Sequence, residues 1–385
     1  MSLAEISRQP AAIMRRRKLK CFMCACVLLY IYYFFGVSDY LYSKNFDENF
    51  DYPLNLDIKH IVQEILAGKK PSVTPINYYP YRFLTNSGKC STIEKLDLFI
   101  VVKSAMPHFG HRNAIRQTFG QENIPGRIVK TLFFLGIDGK PKSDVQKQID
   151  QEMAEYKDII QVDFIDDYYN NTIKTMMSFR WVYEHCSTAD FYLFTDDDMY
   201  ISVNNLLDYV HDKTEVRKSN AVSKNEDDYV FTTEAERDEY LFAGYVFKSA
   251  PQRFRSSKWR VSLDEYMWNR WPPYVTAGAY VLSNKAMKVM YIASLFVKHF
   301  RFDDIYLGIV AKKVGITATH CPDFHFYKKK YGREDYRNVI ASHGHEKYII
   351  FDTLSIIVFY IYYDSIAINF MFSCLIVIRL SFVFL

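Results

Sequence analysis

The sequence predicts an α/β fold carried behind an N-terminal membrane anchor, on three observations. Strand-like and helix-like blocks alternate from residue 95 onward. An uncharged stretch, residues 21–38, follows a basic run. The composition, 49% apolar and 24% charged over 385 residues, is that of ordinary globular domains.

The uncharged stretch CFMCACVLLYIYYFFGVS would make ~27 Å of helix, close to the thickness of a hydrocarbon core. Arg15, Arg16, Arg17, Lys18 and Lys20 precede it and Asp39 follows, so the positive-inside rule leaves residues 1–20 as a cytoplasmic tail. A cleaved signal peptide is the alternative, but the stretch ends in Tyr and Phe and offers no small-residue cleavage site. With Arg8, the six basic residues of the tail face Glu5 alone, which leaves the rest of the chain near neutral. Nucleic-acid binders carry their basic excess on the folded domain, so no nucleic-acid partner is expected.

Residues 39–92 contain Pro53, Pro71, Pro75 and Pro80, lack periodicity and read as a stem. The apolar run at 96–104 then predicts a strand, 111–118 a short helix, 129–137 a strand and 143–156 a helix. A strand at 158–165 follows, then a helix at 172–186 with Asn170 or Asn171 as its N-cap, and a strand at 191–195. Such alternation implies a parallel sheet covered on both faces, with a ligand crevice at the carboxyl ends of its strands. Residues 211–240 are dense in charge and read as an exposed insertion. After residue 348 the chain is strongly apolar. Residues 353–378 carry Asp364 as their single charge, and a second membrane segment and a gene-model artefact both stay open.

Cys21, Cys24 and Cys26 lie in or beside the anchor, as acylation sites or as inert thiols. In an oxidising lumen a Cys90 to Cys186 bridge is plausible, although spacing alone does not fix connectivity. Asn170-Asn171-Thr172 is an N-glycosylation sequon if that domain is luminal.

The acids carry the chemistry. Asp196-Asp197-Asp198 follows the strand FYLFT, so its carboxylates emerge where the crevice is expected, and hard oxygen donors there suit Mn²⁺ or Mg²⁺ bridging a diphosphate. An exposed acidic turn would leave the same tripeptide. Asp303-Asp304 opens a helix-like segment, either as dipole-stabilised acids or as a general base. Between the two pairs, residues 271–280 (WPPYVTAGAY) read as a proline-fixed turn with small residues that permit close approach to a ligand.

Taken in order, these blocks resemble the β1,3-glycosyltransferases of family 31. Residues 111–120 (HRNAIRQTFG) are similar to the family's RxxIRxTWG block, 163–175 (DFIDDYYNNTIKT) to DFxDxYxNLTLKT, and the triple Asp to DxD. Pro272 to Gly278 resembles YPPYxxG and Phe302 to Gly308 resembles EDVYxG. The FDD form, with PPYVTAGAY and VIASHGH, is nearest the brainiac-like invertebrate branch. The likeness covers residues 93–348 and implies a GT-A (Rossmann-like) catalytic domain in a Golgi type II membrane protein. The enzyme would transfer galactose or an N-acetylhexosamine from a UDP-sugar, such as UDP-galactose or UDP-N-acetylglucosamine, in β1,3 linkage with inversion. The acceptor would be a glycan on lipid or protein.

Carried over by position, Asp198 binds the metal with Asp196, and His343 is a further ligand. Asp304 is the base. Arg112, Arg116, Lys174, Asp166, Asp196 and Asp197 fall on the UDP-sugar side, and Trp271, Tyr274, Gly278 and Asp303 on the acceptor side. Trp259, Trp268, Trp271 and Tyr274 are candidates to stack on acceptor sugars. Phe119 replaces the usual Trp, Met199 and Tyr200 follow the triple Asp, and Asp303 replaces Glu. The insertion and the apolar tail have no counterpart in the family pattern. An inactive chaperone or partner of an active transferase is the competing reading, and homo- or hetero-oligomerisation stays open.

Overall fold

A computed structural model describes residues 3–90, 95–140, 143–221 and 239–345. The chain divides into two compact units, one holding residues up to Tyr52 with Lys248–Pro272, the other Pro53–Phe247 with the chain from Pro273 on.

The larger unit is built on β1 (Leu96–Lys103), β2 (Val129–Ile137), β3 (Ile159–Ile165), β4 (Ala189–Asp196), β6 (Phe242–Phe247), β7 (Tyr274–Ser283) and β8 (Thr319–His320), in the sheet order β3-β2-β1-β4-β7-β6-β8. β1 reads LDLFIVVK and is buried at every position but Asp97, because helices cover a parallel sheet on both faces and continuous apolar runs are what such strands require. The connecting helices are α5 (Phe109–Gln117), α6 (Asp144–Tyr156) and α7 (Asn171–His185). α6 is capped by Ser143, whose hydroxyl accepts from the Gln146 N–H. α7 follows a 3-10 turn at Tyr168–Asn170 and is buried on most of its length.

Six of the seven strands run in one direction, and β7 alone opposes them. β7 runs antiparallel to both β4 and β6. The expectation of a parallel sheet is therefore corrected to a mixed one, and the segment read as a turn at 271–280 is largely β7. Its small residues were mistaken for loop because they pack closely: a Cβ on Gly244 of β6 would lie 3.0 Å from the Ala279 carbonyl. A small second sheet holds β5 (Met199–Ile201), β9 (Phe324–His325) and β10 (Ala341–His343), in the order β5-β10-β9. Two helices complete the unit, α9 (Asn284–Ser294) and α10 (Asp303–Val314), the latter closed by Gly315 at φ 78°.

Of the segment 39–92 read as a stem, residues 53–90 belong to the larger unit and those up to Tyr52 to the smaller. Helix α4 (Ile58–Leu66) buries Ile58, Ile61 and Val62, and the Asn77 amide donates to the carbonyls of Ser294 and Val297. Thr85 both donates to Ile159 O and accepts from Gln161 N. Cys90 is joined to Cys186, with Cα atoms 5.3 Å apart. The charged insertion is also corrected in part, since helix α8 (Val203–Ala221) runs into it. Residues 222–238 and the apolar tail from 346 lie outside the described residues.

The smaller unit holds α1 (Leu3–Phe34), α2 (Val37–Leu41) and α3 (Phe46–Asn49) together with residues 248–272. Among the described residues no helix is long and apolar enough to cross a membrane. α1 ends at Phe34, inside the uncharged stretch, and the chain turns at Gly36 with φ 62°. A side chain at Gly36 would meet the Arg253 carbonyl at 2.5 Å. The Trp268 indole donates to Asn49 O, and the buried Arg253 guanidinium donates to the carbonyls of Val261, Ser262 and Trp268.

Candidate active site

The carboxyl ends of β1 and β4 meet because Lys103 is in register with Asp196, and the Thr195 to Ala279 pair brings β7 alongside. Lys103 ends an otherwise apolar strand and is 6% exposed. Its ammonium lies 3.1 Å from Asp196 Oδ1 and 2.8 Å from Asp303 Oδ2, and it also donates to Ala277 O at 3.4 Å. Burial disfavours a buried ammonium, but the two carboxylates outweigh it and hold the Lys103 pKa well above the ordinary value. The triple Asp and the pair at 303–304, more than a hundred residues apart, thus face one cation.

Asp303 and Asp304 begin α10, where the helix dipole favours acids. The Thr175 hydroxyl also donates to Asp303, at 2.8 Å. Burial works to raise the Asp303 pKa, yet Lys103 and Thr175 keep it below the usual carboxylate value. Asp304 behaves in the opposite way. Burial, and then the Asp303 charge beside it, push its carboxyl up to about 7. Two adjacent acids with pKa values driven apart divide into a fixed anion and a proton acceptor.

The three successive aspartates point in different directions. Asp196 faces Lys103. Asp197 is buried, accepts from Ser104 Oγ at 2.6 Å and lies 2.9 Å from His108 Nδ1, a hydrogen bond that raises the His108 pKa. Asp198 faces His343, Oδ2 to Nε2 at 3.3 Å. The small sheet sets that pair, since β10 and β5 place His343 opposite Met199, the residue after Asp198. Burial tends to raise the Asp198 pKa, but the His343 contact holds it below the ordinary value and raises that of His343 in return. Both side chains remain partly open, at 38% and 44% exposure. One oxygen and one nitrogen donor with open positions fit a borderline-hard divalent cation such as Mn²⁺. His108, His111 and Asp197 form a second group of donor atoms, within 4.8 Å of one another.

Gly278 permits this approach: a Cβ there would stand 3.1 Å from Met199 Sδ and 3.7 Å from His343 Cδ2. Asp196, Asp198, Gly278 and His343 lie at the end of the large sheet or on its small neighbour, Asp303 and Asp304 open α10, and Asp196, expected beside the metal, faces Lys103.

The basic residues expected on the nucleotide side are engaged elsewhere. Arg112 is fully buried. It donates to both Glu152 oxygens, to Ser104 Oγ and to the carbonyls of Ala105 and Met106, so every side of its guanidinium is occupied by protein. Arg116 is held by Glu152 and Asp158. Lys174 pairs with Asp166 at 2.7 Å and donates to Ser104 O, while Asp166 also accepts from Gly136 N. Arg112 and Lys174 therefore brace the loop after β1 from behind, while Arg116 is spent on Glu152 and Asp158 and Asp166 on Lys174 and Gly136. Trp268 and Trp271 are likewise corrected. At 3% and 6% exposure they pack with Tyr266 inside the smaller unit, and Trp259 of that unit is 46% exposed. At the sequon, Asn170 Nδ2 donates to Ile165 O and Thr172 is buried in the first turn of α7.

Sequence reading missed Lys103, Ser104 and Thr175. A lysine directly after the five apolar residues 98–102 of a buried strand was the available signal for the first.

Comparison with known proteins decides among the chemistries that such a site allows. The profile of the galactosyltransferase family matches residues 110–322. The chain belongs to that family. It is 37% identical over 332 residues to beta-1,3-galactosyltransferase brn of Drosophila melanogaster, covering 86% of this chain and 92% of that protein. It is 32% identical over 274 residues to human beta-1,3-galactosyltransferase 1, covering 70% and 76%. It is 31% identical over 344 residues to mouse lactosylceramide 1,3-N-acetyl-beta-D-glucosaminyltransferase, covering 86% and 84%. This family member is a glycosyltransferase, and the fold that carries its site is a mixed α/β one. The Drosophila relative lies in the branch that the FDD and PPYVTAGAY segments pointed to.

Proposed function

We propose that the protein is an inverting β1,3-hexosyltransferase of the GT-A type that moves galactose or N-acetylglucosamine from a UDP-sugar to a glycan hydroxyl. The observation that carries this reading is the Lys103 bridge, which puts Asp196 of the triple Asp and Asp303 of the second acidic pair on one ammonium. Asp198 and His343 would hold Mn²⁺ or Mg²⁺, which when bound supplies positive charge to the departing diphosphate. Asp304 takes the proton of the acceptor hydroxyl. That oxygen forms its bond to the anomeric carbon on the face opposite UDP, and the bond to the diphosphate oxygen breaks. Lys103 holds Asp303 as an anion, so that of the two neighbouring acids Asp304 is the one that gains the proton.

The basic run before residue 21 and the Cys90 to Cys186 bridge support a luminal catalytic unit in the secretory pathway, since such bridges persist where the environment oxidises. A Golgi membrane location and a lipid- or protein-linked glycan acceptor are part of the same proposal.

The deciding experiment offers a panel of UDP-sugars to the protein with Mn²⁺ and then with EDTA. Turnover of one donor that EDTA abolishes and Mn²⁺ restores is expected, and Asp198→Ala should lose metal-dependent UDP binding by calorimetry. A folded protein that binds UDP and Mn²⁺ yet turns over no donor with any glycan acceptor would overturn the reading in favour of a partner of an active transferase.

A further inference from the structure

The tryptophans expected to meet the acceptor are packed in the smaller unit, and a different set of rings borders the acids. From Asp304 one turn along α10 stands Gly308, where a Cβ would lie 2.6 Å from the Cβ of Tyr274. The Tyr274 ring stacks on Phe247 at 5.8 Å, Phe247 meets Phe326 at 4.8 Å, and Phe326 meets Tyr245 at 4.6 Å. At the far end, Phe326 follows His325, which is in register with Ser342, the neighbour of His343. The row of rings therefore begins beside the helix of the base and ends beside the strand of the candidate metal ligand. Phe326 and its neighbour Tyr327 are 41% and 49% exposed, so this part of the row faces solvent.

Aromatic faces carry partial negative charge and attract the weakly positive C–H edges of other groups. A pyranose presents such C–H bonds on one face and hydroxyls around its rim. We propose that Tyr245, Phe247, Tyr274 and Phe326 form the platform on which the ring of the acceptor sugar stacks, with its reacting hydroxyl toward Asp304. The occupant is argued from continuity: the row begins beside the helix that Asp303 and Asp304 open and reaches the strand that carries His343. The inference rests on the transferase reading above and adds the residues that recognise the acceptor.

The test compares Phe326→Leu, which keeps apolar volume without a ring face, with Phe326→Tyr, which keeps the face. Using the donor that the panel identifies, Phe326→Leu should raise the acceptor KM about ten-fold relative to the donor KM, and Phe326→Tyr should stay within about two-fold of wild type. In saturation-transfer NMR with methyl β-glycosides of glucose, galactose and N-acetylglucosamine, the ring C–H protons of the glycoside that binds should receive saturation in wild type and lose it in Phe326→Leu. An unchanged ratio of acceptor to donor KM in Phe326→Leu, or equal rises in both constants, overturns the platform while leaving the transferase reading intact. So does partition of wild type, but not of Phe326→Leu, onto phosphatidylcholine vesicles with no change in that ratio, which would make the rings a membrane contact. No turnover by wild type with any donor is the separate failure of the transferase reading itself.

Discussion

At Asp304, burial and the Asp303 carboxylate move the proton equilibrium to about 7, near the working range of a general base. A base acts when deprotonated, so kcat/KM should hold above pH 7 and fall tenfold per unit as pH drops below it. Asp304→Asn should remove this limb and lower kcat at least ~100-fold while UDP affinity stays within about two-fold, as read by rate profiles and calorimetry. Transfer that persists in the Asn variant would assign the base elsewhere. Lys103 acts on the same pair from the other side. Replacing it with Met leaves Asp303 buried without its cation, and a buried pair broken on one side costs about 3 to 5 kcal/mol. Urea denaturation of Lys103→Met should show a loss of that order, whereas a loss below ~1 kcal/mol would mean that solvent already screens the bridge. Neither role was fully legible beforehand. The acid pair stood out at a helix start, but a lysine closing an apolar strand reads equally well as the end of that strand reaching water.

Among elements, the strands were the most readable. β2 falls on Val129–Ile137 as expected, and β1 misses by one residue, because a strand buried on both faces leaves a nearly unbroken apolar run. The segment 53–90 left no such pattern. Apart from α4, which buries Ile58, Ile61 and Val62, it is held by side-chain amides and hydroxyls on backbone carbonyls, as at Asn77 and Thr85, and those contacts have no periodicity to detect. β7 was hidden for a related reason, since Ala277, Gly278 and Ala279 serve close packing and resemble loop residues. The packing of α10 on β7 makes a direct prediction here. Gly308→Ala places a methyl 2.6 Å from Tyr274 Cβ and 3.2 Å from Pro273 O, and overpacking of this kind costs about 1 to 3 kcal/mol. Thermal melts should show the loss, and the acceptor KM should rise because Tyr274 is displaced. An Ala variant with wild-type melting would show that helix and strand part freely.

For the molecule as a whole, the bridge between Cys90 and Cys186 ties the segment before β1 to the end of α7 across 96 residues of sequence. A loop of that size is worth about 4 to 5 kcal/mol in the chain-entropy account, so Cys90→Ser should unfold at clearly lower urea than wild type, and reductant should shift wild type but not the variant. An equal response of both proteins to reductant would place the bridge outside the stability of the fold. The smaller unit carries a different consequence. Its two parts, ending at Tyr52 and beginning at Lys248, are made at separate times, and Trp268 and Tyr266 have no counterpart for Tyr52 and Asn49 until the second part emerges. At about 5 to 20 residues per second, the first part waits on the order of ten to forty seconds after leaving the ribosome. Nascent chains arrested before residue 248 should therefore expose Tyr52 to protease, and those released after residue 272 should protect it, so this unit closes only after residues 53–247 of the larger one have been made.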